Sequence, residues 1–247
     1  SHTYGSAGNF LVTLKVTDNR GAAVAVSKVV TVTAPTPAIA VDTFARSVVN
    51  AWGAADKGGP WSLEGTASNF AVSGGVGSVA TPPGNIRTAT LNGISSTGTD
   101  TRVDVAVNLP VSATYISVLG RHVNATNGYR AKLRYFPNGD VTATLVRVVN
   151  GTETSIVGGK IQGITYSTDD VLRVRTQVVG TVPTTLRVKV WRAIDDEPAT
   201  WNYQVADSTA VLQAPGSVGF LTYASSAAGG IPAAVKFSNF EVTQVAG

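Results

Sequence analysis

The chain of 247 residues has no cysteine and no methionine, and its two histidines are His2 and His122. The lack of cysteine excludes a disulfide framework, a thiol nucleophile and a thiolate metal site. Two histidines so far apart in the sequence also argue against zinc. No apolar run approaches the ~18 residues of a membrane-spanning helix, and no signal-peptide pattern is present. Because methionine is absent even at the first position, we expect this sequence to be a segment of a longer polypeptide.

Charge is also scarce. Charged residues make up 14% of the chain, the formal net charge is +4, and no three cations are consecutive. Nucleic-acid-binding proteins usually concentrate Lys and Arg in runs, so we predict no nucleic-acid partner. The lack of long apolar runs predicts no membrane insertion. An apolar content of 43% is typical of a folded chain, and the length suits one large β domain with a fragment, or two ordinary domains.

The first 34 residues carry a strand, a tight turn and a second strand. Apolar side chains take every second position in residues 10–16, which predicts a strand with one buried face. The Asp-Asn-Arg-Gly sequence at 18–21 then turns the chain into a valine-rich run, which predicts a hairpin.

This segment resembles the C-terminal half of a PKD domain. PKD domains are extracellular immunoglobulin-like spacers in surface proteins and secreted polysaccharide-degrading enzymes, so the resemblance implies an extracellular or cell-surface location. The strands missing from the pattern would leave open strand edges for a protein partner. The residues that carry the resemblance are His2, Tyr4, Gly8, Phe10, Val12, Leu14, Val16, Asp18 and Gly21.

A second domain is predicted over residues 41–247, after a proline-containing linker at 35–40. It shows more than ten short apolar or alternating runs separated by turn residues, and no sustained helical periodicity. That pattern predicts an all-β fold of two antiparallel sheets packed as a sandwich or jelly roll. The predicted strands are residues 70–72, 86–91, 102–109, 115–118, 129–136, 141–149, 153–157, 171–178, 185–192, 217–223 and 235–245.

The two ends of this domain carry another resemblance. The opening segment Asp42–Arg46 and the closing segments Gly216–Phe220 and Phe237–Val242 resemble framework motifs of concanavalin A-like (laminin G-like) jelly rolls of bacterial extracellular proteins. The resemblance implies that the terminal strands are adjacent in one sheet. It also implies a domain that binds carbohydrate or serves as a structural module, with hydrolases or lyases as a minority.

Calcium is the metal that the sequence allows, because Ca²⁺ takes carboxylate and carbonyl oxygens from loops. Domains of the resembled architecture often hold a structural Ca²⁺. The pairing of terminal strands would bring Asp42 and Asn239 together, and we predict them as metal ligands. Other candidates are Asp195 with Asp196, and residues 169–170.

Catalytic constellations are missing from the sequence. No glutamate has a second carboxylate at the spacing that places a glycosidase pair on one strand face. The acidic cluster Asp195–Glu197 precedes Pro198 and predicts a solvated turn. His122 is predicted to be a lone surface histidine, since nothing nearby suggests a partner for a general base. We therefore predict that the protein is not an enzyme, with a lyase or hydrolase that uses His122 and Tyr129 as a further alternative.

Alternation in residues 129–136, 171–178 and 185–192 places apolar side chains on one face and cations on the other. If these strands are neighbours, one sheet face is either an ordinary solvated face or a shallow basic groove for an acidic glycan. The predicted ligand-binding residues are Arg130, Lys132, Arg134, Arg173, Arg175, Arg187 and Lys189, with Trp191 as a stacking platform on the same face and Trp201 and Tyr203 beside the acidic loop.

These observations predict a non-catalytic carbohydrate-binding or adhesion module of a larger secreted or surface protein. Its partner would be a polysaccharide or cell-surface glycan, with acidic glycans among the candidates. The alternative is a structural subunit of an extracellular appendage or matrix, held by protein–protein contacts.

Overall fold

The protein was analysed as a computed structural model that describes residues 2–32, 34, 36–108, 112–168, 170–227 and 230–246. The chain divides into two compact units, residues 1–37 and 38–247. Residues 38–40, predicted as the end of a linker, already belong to strand β3 of the larger unit, and Pro35 lies outside the described residues. Within these ranges, no helix has the length and apolar character needed to cross a membrane.

The smaller unit is an antiparallel hairpin of β1 (Gly8–Thr17) and β2 (Ala23–Val32). The Asp18 carboxylate closes the turn by accepting the backbone N–H groups of residues 20 and 22. The predicted hairpin is therefore confirmed. The face predicted to be buried is exposed, with Leu14 at 68% and Val16 at 62%, because a hairpin of two strands has no second layer of its own.

The larger unit contains two antiparallel sheets. The seven-stranded sheet has the order β13 (Thr152–Lys160), β12 (Val141–Val149), β11 (Asn127–Tyr135), β10 (Thr114–Asn124), β17 (Gly216–Ala224), β8 (Ile86–Ser96) and β5 (Ser62–Glu64). The nine-stranded sheet has the order β16 (Tyr203–Asp207), β15 (Thr184–Arg192), β14 (Leu172–Val179), β9 (Gly98–Val107), β18 (Ala233–Gln244), β7 (Val76–Thr81), β6 (Phe70–Ser73) and β4 (Val48–Val49), with β3 (Ala38–Asp42) also paired to β18.

This architecture confirms the predicted all-β antiparallel sandwich. In the part of the chain that the structure describes, the helical segments are two 3₁₀ turns, Ala67–Asn69 and Ala210–Leu212. The implied adjacency of the terminal strands is also confirmed, since Asp42 on β3 lies opposite Phe240 on β18. The strands that the sequence pattern missed are β3, β4, β5, β7 and β16, of which β4 and β5 have only two and three residues.

Aromatic rings join the two sheets at one side of the core. Phe220 of β17 stacks on Phe237 of β18, with ring centroids 4.2 Å apart. Trp52, which is fully buried, makes an edge-to-face contact with Trp61 at 5.1 Å. Such pairs add about 0.5–1.5 kcal/mol each beyond the area that they bury.

A buried carboxylate binds the segment that leads into this aromatic cluster. Asp42 has no exposed surface. One of its oxygens accepts the backbone N–H of Phe44 at 2.8 Å and a guanidinium N–H of Arg46 at 2.7 Å. The other oxygen accepts Arg46 at 2.8 Å and the indole N–H of Trp61 at 2.7 Å. A single side chain thus fixes the segment after β3 and one ring of the core.

Replacing Asp42 by alanine should destabilise the larger unit by about 3 kcal/mol, because it leaves the guanidinium of Arg46 and the indole of Trp61 without their acceptor. The measurement is the urea-unfolding free energy. The matched control is Asp195→Ala at an exposed position, which should change that free energy by no more than about 0.5 kcal/mol. Equal effects of the two variants would contradict this role for Asp42.

Candidate functional site

The predicted cationic face is divided between the two sheets. Residues 130–134 lie on β11 of the seven-stranded sheet, whereas residues 173–175 and 187–189 lie on β14 and β15 of the nine-stranded sheet. The sequence correctly predicted which side chains of each strand point outward, since the apolar residues that alternate with the cations are buried. The prediction that all seven cations share one side is wrong, because β11 is not a neighbour of β14 or β15.

On the nine-stranded sheet the cations are neutralised by carboxylates. Arg173 makes a bidentate contact with Asp104, at 2.6 and 2.7 Å. Arg175 contacts Asp100, which lies on the same strand as Asp104, at 2.5 Å. Arg175 also pairs with Glu197. Asp100 and Asp104 belong to β9, which lies beside β14 although about 70 residues separate the partners, whereas Glu197 belongs to the loop after β15. This face is a ladder of ion pairs that holds neighbouring strands together.

Of the three rings predicted near this face, one is buried and two are half-buried. Trp191 is only 5% exposed, so its predicted use as a stacking platform is not compatible with its burial. Trp201 is half-buried, and its ring lies under the ammonium group of Lys189 at 4.8 Å and the guanidinium of Arg175 at 5.4 Å. Tyr203 is half-buried and donates its hydroxyl to the Lys160 carbonyl at 3.2 Å.

The remaining predicted cation, Arg187, contacts amides. Its guanidinium donates to the side-chain oxygen of Gln177 at 2.9 Å and to that of Gln204 at 3.3 Å. The ammonium of Lys189 pairs with Glu197 at 2.6 Å and donates to the Pro198 carbonyl at 2.7 Å. These contacts hold the acidic loop against the sheet.

The predicted calcium ligands do not fit a shared site. Both oxygens of Asp42 already accept hydrogen bonds from protein donors. Asn239 donates its amide to Asp104 at 2.8 Å, on the outer side of the nine-stranded sheet. The Asp170 carboxylate accepts the Ser167 N–H at 2.8 Å, and Asp169 lies outside the described residues. Among the residues that the structure describes, no three His, Asp or Glu side chains form a group that could hold a metal ion.

The outer face of the seven-stranded sheet carries a groove along β10 and β17. Three adjoining cavities, of about 350, 70 and 410 Å³, form this groove. Arg130 and Leu221 line both the first and the second cavity, and Glu64 and His122 line both the second and the third. Nine residues of β10 separate Tyr115 at one end from the far end, which corresponds to about 30 Å.

A pair of tyrosines lines the first cavity. Tyr115 and Tyr223 lie directly opposite each other on β10 and β17. Their ring centroids are 5.7 Å apart and their planes are inclined by 45°. Both side chains are half-buried, so each keeps part of its ring open to the groove. The sequence placed each tyrosine in a strand but gave no signal that these two strands are neighbours.

Cations form one wall of the groove. Arg130, Lys132 and Arg134 alternate along β11, and Glu153 of β13 forms ion pairs with the first two. Burial by itself raises the pKa of Glu153, but the hydrogen bond from Lys132 and the neighbouring positive charges outweigh burial and hold that pKa below its usual value. The guanidinium of Arg134 instead lies over two rings, Phe136 at 4.1 Å and Tyr115 at 5.2 Å.

A bulge in β10 determines which side chains face the groove beyond this wall. The pairing register shifts between Leu119 and Arg121. Leu119 faces the groove, Arg121 turns inside and His122 faces the groove again. The buried Arg121 donates to the carbonyls of Leu212 at 3.1 Å and Gly180 at 2.8 Å. Without the shift, simple alternation would point Arg121 outward.

His122, predicted to be a lone surface histidine, is half-buried and lines the second and third cavities of the groove. Burial lowers the pKa of its imidazole, the charge of Glu64 opposes this, and the charge of Arg130 adds to it. The ring is accordingly neutral at pH 7. Within the described ranges no side chain forms a hydrogen bond with the imidazole of His122. The alternative partner, Tyr129, is buried in the core and donates its hydroxyl to Asp207 at 2.5 Å, and burial with this contact raises its pKa well above the usual value.

No protein-family model and no curated protein sequence matches the chain. Solved structures do. The carbohydrate binding module CBM66 from Bacillus subtilis is 15% identical with a TM-score of 0.50, over 74% of this chain and 95% of that one. The laminarinase from Rhodothermus marinus is 14% identical with a TM-score of 0.55, over 85% and 98%. The GH43 BlXynB protein from Bacillus licheniformis is 11% identical with a TM-score of 0.56, over 94% of this chain and 46% of that one.

The larger unit is a jelly-roll β-sandwich. At these identities, the similarity shows the fold alone. The neighbours include both a binding module and glycoside hydrolases on this scaffold. The function of this jelly roll must accordingly be argued from the side chains of its groove.

The pKa of His122 reports the charges of the groove. Glu64→Gln should lower that pKa further, because the carboxylate favours the imidazolium, and Arg130→Gln should raise it. The measurement is an NMR titration in a His2→Gln background, where His122 is the remaining histidine. In the parent protein the midpoint should lie below the unperturbed value of about 6.5. Shifts of the same sign in the two variants would contradict this arrangement.

Proposed function

We propose that the groove on the seven-stranded sheet binds a polysaccharide and carries out no chemistry on it. The observation that carries this proposal is the tyrosine pair, Tyr115 and Tyr223, half-exposed at one end of a groove about 30 Å long. The apolar faces of sugar rings pack on aromatic rings, and neighbouring polar groups bind the hydroxyls. An open groove of this length suits an extended chain of several sugar residues.

The distribution of polar groups supports the same proposal. Thr88, Thr90 and Asn92 of β8 line the groove on the side away from the cations. They can donate to and accept from hydroxyl groups without adding net charge. The groove therefore combines an aromatic platform, a neutral hydrogen-bonding wall and a charged wall. The CBM66 module and the other sugar-related structural neighbours add support at the level of the fold.

The positions of the carboxylates support binding without hydrolysis. A glycosidase needs two carboxyl groups about 5–10 Å apart across the scissile bond. The carboxylates that line the groove are Glu64 on β5 and Glu153, which is held by the cations of β11. The backbones of β5 and β11 are four strand spacings apart, roughly 19 Å, and the Glu153 carboxylate is occupied by its ion pairs with Arg130 and Lys132. Tyr129 is committed to Asp207 and is buried, so it offers no phenol to a partner.

The resemblance of residues 1–34 to a PKD spacer supports a location outside the cell. We infer that the jelly roll belongs to a larger secreted or surface protein, in which it would attach the remainder to a polysaccharide or a cell-surface glycan. A spacer joined to a binding module is consistent with adhesion. The location can be tested by protease accessibility on intact cells that express the complete parent protein.

A second candidate function is a structural subunit of an extracellular matrix or appendage. The observation in its favour is the hairpin of residues 8–32, where Leu11, Leu14 and Val24 are about 70% exposed. Apolar side chains on a strand pair can be covered by an added strand of another protein. This candidate predicts assembly of the protein without any glycan.

Tyr115→Ala and Tyr223→Ala should each weaken polysaccharide binding about tenfold, because central aromatic contacts commonly contribute this much. The measurement is retention in affinity gels that contain neutral or acidic polysaccharides, followed by calorimetry with the best ligand. Tyr4→Ala, in the smaller unit, is the matched control and should bind as the parent does. A loss with Trp201→Ala and none with the two tyrosine variants would move the site to the nine-stranded sheet and contradict the groove.

The purified protein should release no reducing ends and no unsaturated products from the polysaccharides that it retains. The expected reason is that Glu153 is held in ion pairs with Arg130 and Lys132, so that it does not form an acid–base pair with Glu64. The measurement is a long incubation at high protein concentration, with product detection by reducing-end assay and absorbance. Turnover that Glu64→Gln or His122→Ala abolishes would establish an enzyme and overturn the proposal of a non-catalytic module.

A further inference from the structure

Resting on the proposed function, we propose that the groove selects an acidic polysaccharide, whose carboxylate or sulfate group binds at Arg134 while the sugar ring lies on Tyr115. The juxtaposition that carries this inference is a guanidinium without a carboxylate partner, placed directly beside the aromatic platform. Arg134 and Tyr115 are opposite residues on the paired strands β11 and β10.

The first step of the argument is the charge balance of the cationic wall. Arg130, Lys132 and Arg134 face the same side of β11, and two residues of a strand separate each from the next by about 6.7 Å. A single carboxylate, Glu153, pairs with Arg130 and Lys132. In the described part of the chain, no carboxylate pairs with Arg134. The wall therefore has an excess of positive charge, and its uncompensated end is the end that carries the tyrosines.

The second step is the way Arg134 is held. Its guanidinium lies over the rings of Phe136 and Tyr115, which fix the plane of the group by cation–π contacts. Its Nε is buried and has no hydrogen-bond partner. Within the described residues, no acceptor receives a hydrogen bond from this guanidinium, and its two terminal amino groups, held in a fixed plane, are suited to bidentate binding of a carboxylate or sulfate. Because the side chain is already ordered, less rotamer entropy is lost when an anion binds.

The third step is the contrast with the opposite sheet. There Arg173 and Arg175 each form an ion pair with a carboxylate of β9, and Lys189 forms an ion pair with Glu197. Three of the four predicted cations on the face for which we propose no ligand are thus paired with carboxylates, and the fourth, Arg187, donates to the amide oxygens of Gln177 and Gln204. The unneutralised Arg134 belongs to the face with the groove and the tyrosine pair.

The experiment compares pairs of polymers that share a backbone and differ in charge. The first pair is homogalacturonan with free carboxylates and its methyl-esterified form, and the second is dextran sulfate and dextran. The acidic member of at least one pair should bind about tenfold more tightly than its matched partner. The pair that shows the preference distinguishes a carboxylate from a sulfate ligand. Raising the ionic strength should reduce the preference, since salt screens exposed charges.

Arg134→Gln should abolish most of the preference, measured as the ratio of the affinities of that one variant for the two members of a pair. Lys236→Gln removes one positive charge from an exposed position on the nine-stranded sheet and is the matched control. Arg134→Lys retains the charge without the bidentate fork and should give an intermediate preference. Thermal unfolding of each variant checks the fold, and the comparison of polymers within one variant is unaffected by a change in the folded fraction.

Equal binding of both members of each pair, with the tyrosine variants still impaired, would overturn this inference and leave the proposed function standing. A preference that Arg134→Gln retains would also overturn it. Failure to bind any polymer, neutral or acidic, would overturn the inference together with the proposed function. Tighter binding of DNA or of an acidic peptide than of the acidic polymers would overturn it in favour of another class of partner.

Discussion

The stacking of Phe220 on Phe237 between the two sheets determines which side chains reach the groove. Since side chains alternate along a strand, an inward Phe220 requires Leu221 and Tyr223 to point outward from β17. The neighbouring strand β10 is fixed in the same way, because Val118 opposite Phe220 is buried. The core therefore places the tyrosine pair, and no contact between the two rings is needed to bring them together.

The two outer faces of the sandwich both carry Arg and Lys side chains, but the residues beside these cations differ. On the nine-stranded sheet, carboxylates of β9 lie beside the cations of β14. The positive charges of Arg173 and Arg175 are therefore neutralised by ion pairs within the protein. On the seven-stranded sheet the strands next to β11 carry Thr144 and Ser117 at the positions opposite Lys132. Neutral neighbours leave the positive charge of this wall available, which is why we place ligand binding on this face.

The strands and their inward and outward faces could be predicted from the sequence because both depend on local periodicity. The run from Val141 to Val149 was located with both ends correct, whereas β7 was missed because its glycine, serine and alanine lack strand propensity. The neighbours of each strand could not be predicted, since β10 and β17 pair Tyr115 with Tyr223 across more than 100 residues. For this reason the outward cations were found, while their division between two sheets and the tyrosine platform were not.

The bulge in β10 has a consequence for how such a groove can change. Side-chain direction in a strand repeats every two residues, so the register shift beside Arg121 turns that guanidinium inside and leaves the imidazole of His122 facing the groove. The extra residue of the bulge is Gly120, since Leu119 pairs with Arg130 and Arg121 pairs with Tyr129, so loss of Gly120 would restore regular pairing and leave the direction of both side chains unchanged. Among relatives of this chain, the length of β10 could then vary by one residue at that point without a change in the lining of the groove, and a new ligand preference would require substitution of the lining residues.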